Sequence, residues 1–224
     1  MSDSDSFIDE VTEEVRRDRL FAMFRRYGWI AAVAIVAIVG GAAYKEYSAA
    51  QNRQAAEALG DSITTALQAN DAAGRAAELS TVTAESPGGN AVVEFSLAAA
   101  QAEAGNTSSA VATLNAIAVN GEIPEIYRQI ASFKALILQA GDESTIDERR
   151  TGLQALAQPG NPLRMLAEEQ LALLSLEQDD TEAAIAKYQE ILQDAETTSD
   201  LKQRATQAIV ALGGKPEAVP GSQG

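Results

Sequence analysis

The sequence predicts an all-α protein: one N-terminal membrane-spanning helix followed by a stack of helical hairpins. Three observations predict it. Residues 27–44 carry no charge and are almost wholly apolar. Beyond them, apolar residues recur in three- and four-residue steps, the period of a helix face, between breaks rich in Gly, Asn and Pro. A two-residue alternation of the strand type occurs nowhere.

Tyr27 to Tyr44 would make roughly 27 Å of helix, close to the ~30 Å hydrocarbon core of a bilayer. Tyr27 and Trp29 stand at one end, Tyr44 and Tyr47 at the other. Such rings suit the two water–lipid interfaces. Arg16, Arg17, Arg19, Arg25 and Arg26 precede the span, and Lys45 and Arg53 alone follow closely. The positive-inside rule then puts residues 1–26 in the cytoplasm and the remainder across the membrane. A cleaved signal peptide is the rival reading, with Ser48 and Ala50 as its small residues. The long, mixed-charge segment before the apolar run argues against it. Within the span, Ala34, Ala37 and Gly41 share one face, a small-residue spacing suited to close packing against another membrane helix.

Before the span, Ile8, Val11, Val15, Leu20, Phe21 and Phe24 follow helical steps, as in an interfacial helix that holds its arginines at headgroup depth. After it, Lys45–Asn70 is rich in Ala, Gln, Glu and Leu, so the helix is expected to continue as a stalk. Asp71–Glu85 reads as a second short helix, and Ser86-Pro87-Gly88-Gly89 as a break. Further helices are expected at Val92–Ala104, then over a stretch capped by Thr107 or Ser108 that carries Val111, Leu114, Ile117 and Ala118 and ends at Asn120-Gly121, and from Pro124 to Leu138. Ser144–Ala157, Leu163–Glu177 with Asn161 as cap, Thr181–Ala195 and Leu201–Leu212 complete the set. The organisation is therefore 1–26 cytoplasmic segment, 27–44 span, 45–85 stalk and first hairpin, 86–213 repeat domain, and 214–224 disordered tail.

A repeat lies in this order. At a spacing of 74 residues, Ala98 matches Ala172, Ala110 matches Ala184, Val111 matches Ile185, Leu114 matches Tyr188 and Ile117 matches Ile191. Leu136–Asp142 falls between them less cleanly. Two helices, a tight turn and small residues at the helix crossing are the content of a tetratricopeptide repeat. The family's Trp and closing Pro are missing from the clearest unit.

Composition narrows the function. The net charge is −15, with neither His nor Cys. An acidic exported domain repels nucleic acid. Triads, zinc sites and thiol chemistry that need His or Cys are out. No Gly-rich phosphate loop follows a strand. Asp179-Asp180-Thr181-Glu182 lacks the spacing of a calcium loop and reads as a helix start. Glu148-Arg149-Arg150 and Glu168-Glu169 read as solvated faces. No enzyme activity, cofactor, metal or small-molecule substrate is expected.

Several stretches carry a family resemblance. Glu14-Val-Arg-Arg-Asp-Arg-Leu20 precedes Tyr27-Gly28 and the span. Tyr127-Arg-Gln-Ile-Ala-Ser-Phe-Lys-Ala-Leu-Ile-Leu138, Leu156-Ala-Gln-Pro-Gly-Asn-Pro-Leu-Arg164 and Ala167-Glu-Glu-Gln-Leu-Ala-Leu-Leu174 follow the Ala-rich stalk. Together they resemble the YfgM-like ancillary subunits of the bacterial Sec translocon, and the last three stretches look like the alphaproteobacterial branch of that family. The resemblance implies an inner-membrane protein with a periplasmic tetratricopeptide-like domain. It also implies protein partners: translocon subunits and a membrane-anchored, prolyl-isomerase-like periplasmic chaperone. An envelope assembly or cell-division factor, and a stand-alone periplasmic holdase, are the alternatives.

Overall fold

The computed structural model describes the backbone of residues 3–217, with side chains from Arg25 onward apart from Ala31 and Ala32. The described residues are helical and contain no strand. The chain divides into two units, residues 1–57 and 58–224. Helix α1, Asp3–Ala66, supplies all the described structure of the first unit and enters the second. Its backbone is helical through residues 7–24, and the faces expected there for Arg16, Arg17 and Arg19 lie outside the described side chains.

In the second unit the helices are α2 (Ala72–Leu79), α3 (Pro87–Glu103), α4 (Thr107–Val119) and α5 (Glu125–Leu138). A short 3-10 turn at Glu143–Thr145 precedes α6 (Ile146–Leu156). Then come α7 (Arg164–Glu177), α8 (Thr181–Gln193) and α9 (Ser199–Ala211). From α2 onward each helix packs on its neighbour in the chain, and α3 also touches α5.

Caps explain the boundaries. Asp71 accepts the Gly74 N–H at 2.6 Å, and Asp180 accepts that of Ala183 at 2.9 Å. Each satisfies a donor that the first helical turn leaves free. Ser86 accepts from Gly89 N–H at 3.0 Å, and Pro87 occupies the first position of α3. The Ser-Pro-Gly-Gly stretch expected as a break is thus the opening turn of a helix, where proline's missing N–H costs nothing. Gly89 is needed there: a Cβ would come within 3.0 Å of the Leu59 side chain. α2 stops at Leu79 and not at Glu85. The hydroxyls of Ser80 and Thr81 turn back to the Ala77 and Glu78 carbonyls, the local competition that favours turns over helix.

Two other expected caps move. Neither Thr107 nor Ser108 caps α4; Asn106 takes the position without a side-chain bond. Asn161 accepts the Leu163 N–H at 2.8 Å, making a turn with Pro162, and α7 begins after it at Arg164. On α3 the buried face is Ala91, Val93, Ala98 and Ala100, and Val92 and Ala99 are exposed.

The 74-residue spacing reappears in the backbone. Gly105 and Asp179 both have positive φ, +79° and +59°. Asn106 N–H bonds to Gln101 C=O at 2.8 Å, and Asp180 N–H to Ser175 C=O at 2.9 Å. Both are the same six-residue closure of a helix end. After the second helix, Asn120 accepts from Glu122 N–H at 3.0 Å and Asp194 from Glu196 N–H at 2.8 Å. Ala131 and Ala205 then sit buried in α5 and α9. The unit α3–α4–α5 thus recurs as α7–α8–α9.

The cores follow. Ala98, Ala110, Leu114, Ile117, Ile123, Ala131 and Ala135 form one cluster. Ala172, Tyr188, Ile191, Leu192, Leu201, Ala205 and Ile209 form another. Leu136, Leu153, Leu156 and Ala167 lie between, and Ala66, Leu79 and Ala100 join the end of α1 to α2 and α3. Ala110, Ala172 and Ala184 are wholly buried. A side chain larger than methyl there must displace the facing helix. Ala172→Leu should cost about 1–3 kcal/mol. Ala99→Leu, on the exposed face of the equivalent helix, should cost little. Urea unfolding of the full chain in detergent, followed by circular dichroism, measures both.

Candidate functional site

Two regions could act on other molecules: the apolar stretch of α1 in the first unit, and the paired-charge face of α6–α9 in the second.

In α1, Tyr27, Trp29, Tyr44 and Tyr47 are all exposed, as are Ile30, Val33, Ile35, Val36, Ile38 and Val39. Val36 and Ile38 reach 71% exposure, far above what a soluble surface presents in one continuous run. Ala34, Ala37 and Gly41 lie on this exposed helix, and a Cβ added at Gly41 would meet nothing within 4 Å. Among the described residues one helix is long and apolar enough to cross a membrane, and none of its apolar window is buried.

The expected helix-crossing residues of the second unit are interior. Ala98, Ala110, Ala172, Ala184 and Tyr188 are buried. Burial beside the Glu169 carboxylate pushes the Tyr188 hydroxyl above its ordinary pKa.

Of the charged residues expected on solvated faces, Glu148 is exposed, whereas Arg149, Glu168 and Glu169 form ion pairs between helices. Arg149 is only 2% exposed. Its guanidinium grips Glu177 with two bonds, at 2.5 and 2.8 Å. The Gly141 N–H also donates to Glu177 at 3.3 Å. This pair ties α6 to the end of α7 and to the turn after α5. Glu169 holds Arg204 of α9 through two bonds of 2.8 Å. Glu168 takes Lys187 of α8 at 3.1 Å, and Arg164 spans Asp194 and Glu196 at 2.8 Å each. A cleft of about 430 Å³ lies among these groups, lined by Arg150, Gln154, Glu168, Leu171, Ser175 and Lys187. The cations in it are engaged: Arg150 with Asp147 and Gln178, Lys187 with Glu168 and Glu190. Its hydroxyl is engaged as well, Ser175 donating to the Leu171 carbonyl, and Gln158 donates to the Gln154 carbonyl.

The sequence missed Arg149 for a reason of register. The 3-10 turn adds residues before α6, so a match to the flanking pairs needs a step of 39 residues from α4. On that step Leu153 and Leu156 answer Leu114 and Ile117, and Arg149 answers Ala110. An arginine therefore stands where the other two crossings hold an alanine, with its guanidinium reaching Glu177.

Comparison with models of protein families, with curated proteins and with solved structures returns no match to this chain.

The ion pairs set a pH dependence. Hydrogen bonds from Arg149 first, and from Gly141 N–H, hold the Glu177 carboxyl below its ordinary value of 4.5 despite its burial. The Arg164 guanidinium does the same for Asp194. A folded-state value below the unfolded one means that Glu177 stabilises the fold at pH above the unfolded value and loses that contribution as pH falls through the folded one. Glu177→Gln should cost about 3 kcal/mol at neutral pH, since a buried guanidinium loses its counter-charge. The gap between wild type and variant should shrink as pH falls from the ordinary value of 4.5 through the lower folded-state value of Glu177. Denaturation of the full chain over a pH series reads both effects.

Proposed function

We propose that the protein is a membrane-tethered scaffold whose helical repeats hold protein partners beside the bilayer. The observation that carries this reading is the exposed apolar run of α1, bounded by aromatic rings, on the same chain as a repeated three-helix unit. A run of this length exposed to water has no stable explanation as a free surface, whereas lipid satisfies it. Arg25 and Arg26 before the span, with the arginines upstream, favour an N-terminus in the bacterial cytoplasm and residues 45–217 in the periplasm. The recurrence of Gly105 and Asp179 turns, and of buried alanines at the crossings, supports reading the second unit as a tetratricopeptide-like solenoid. In such solenoids each pair buries its face on the next and the stacked surface binds other proteins.

Translocon subunits and a membrane-anchored periplasmic chaperone are the partners this reading names, after the resemblance of the stretches quoted above. Ala34, Ala37 and Gly41 give the anchor a face on which a second membrane helix can approach closely, since association in lipid depends on backbone packing.

Two measurements test the reading. An export-dependent reporter fused after Gly224 should be active and one fused near Ser6 inactive; the reverse pattern overturns the orientation. Replacing Ala37 and Gly41 together by Leu should reduce recovery of translocon subunits in detergent capture by about fivefold or more, at unchanged insertion, whereas Ile38→Leu should leave it unchanged. Equal recovery from both would confine partner binding to the repeat domain.

A further inference from the structure

The segment after α9 does something that ending a helix does not require. Gly213, at φ +81°, and the bond from Gly214 N–H to Ile209 C=O at 2.9 Å complete the C-terminal cap of α9. The chain then leaves α9 and lies along α8. Gln189 Nε2 donates to the Lys215 carbonyl at 2.8 Å, and Gln189 Oε1 accepts the Glu217 N–H at 3.0 Å. Gln193 Nε2 donates to the Glu217 carboxylate at 2.9 Å. These residues were expected to begin a loose tail; Gly214–Glu217 is held, and Ala218–Gly224 lies outside the described residues.

We propose that this strip of α8, formed by Ile185, Gln189 and Gln193, binds an extended segment of another polypeptide, and that Gly214–Glu217 is a built-in occupant which that segment displaces. The recognition is of main chain. A carbonyl and an N–H two residues apart face the same way in extended chain, and one primary amide satisfies both. That is the logic of strand addition, with a glutamine in place of the receiving strand. Pro216 sits between the two bonded residues, where no N–H is asked for. Lys215 and Pro216 stay exposed, so their side chains carry none of the grip.

Only one position demands a particular residue. A Cβ at Gly214 would stand 3.0 Å from Ile209 and 3.3 Å from Ile185. The fitting ligand is therefore an extended stretch with a glycine at that place, followed one and three residues later by a free carbonyl and a free N–H. An acidic side chain on the last of these reaches Gln193. On α4 the equivalent of Gln189 is the shorter Asn115, which lines a cleft of about 550 Å³ with Asp147 and Thr151. A longer amide on α8 is what reaches a separate segment.

The inference deepens the scaffold reading by naming a surface and a partner class, and it rests on that reading for why a partner segment comes there. Its test is run in detergent micelles, so that a failure of the anchor or of its orientation has no bearing on it. The probe is a fluorescein-labelled peptide of residues 212–221, added to the full chain. Gly214→Val should loosen the resident segment through its clash with Ile185 and Ile209. That variant should bind the peptide about tenfold more tightly than the wild-type chain does. Gln189→Leu added to it should remove the gain. As a second measurement in the otherwise unaltered chain, the Glu217 amide should exchange hydrogen slowly, and Gln189→Leu should release it by about tenfold. Equal peptide binding with and without Gln189, or equal exchange of Glu217 in the two chains, would overturn the proposal.

Discussion

Close approach of neighbouring helices at single alanines is the constraint on which the second unit depends. Ala110, Ala172 and Ala184 are sealed, and the large side chains that fill each core, such as Leu114, Tyr188 and Ile191, stand one or two turns away. Spacing of the crossings sets where those larger groups land. Cavity or overlap at such a point is felt at once because interiors are close-packed. The turns serve the same end: Gly105 and Asp179 reverse the chain in the left-handed region, in the same register relative to the crossing alanine.

The middle crossing departs from this rule, and its departure explains the most buried charge among the described residues. Arg149 cannot be accommodated as a methyl is. Its guanidinium is carried past the crossing to Glu177, at the far end of α7, where the Gly141 turn also arrives. A crossing by contact is replaced there by a crossing held by a charged, two-point bond. Gly152, one turn on, keeps room for the exchange: a Cβ there would stand 2.8 Å from Leu136. A paired buried charge is a weak source of stability but a strict one in geometry, so this seam fixes α6 in one register.

Much of the fold was legible in the sequence because it is written locally. The uncharged run from Tyr27 to Tyr44, the helix faces and the 74-residue repeat need only neighbours along the chain. What the sequence hid depends on contacts across it. The Ser86-Pro87-Gly88-Gly89 stretch looks like a break until Leu59 is seen to demand Gly89 inside the helix. Glu168 and Glu169 look solvated until Lys187 and Arg204 meet them from α8 and α9. The slip of register before α6 is set by a 3-10 turn too short to carry a periodicity, and with it Arg149 passed for a surface residue. The strip on α8 is of the same kind. Gln189 has no signature of its own and acquires its role only from where the chain goes after Gly213.

The neighbour-to-neighbour packing of α2 to α9 has a kinetic consequence. Helix contacts in this unit join segments close in the chain, so little loop closure must be completed before packing begins to stabilise it. A chain delivered gradually from one end can therefore settle pair by pair: α3 finds α4 and α5 before α7 has emerged. No long apolar segment of the unit then waits for a distant partner, the condition under which newly made chains aggregate. The charged seams are the exception: Arg149 waits for α7 to reach Glu177, and Glu169 waits for α9 to bring Arg204.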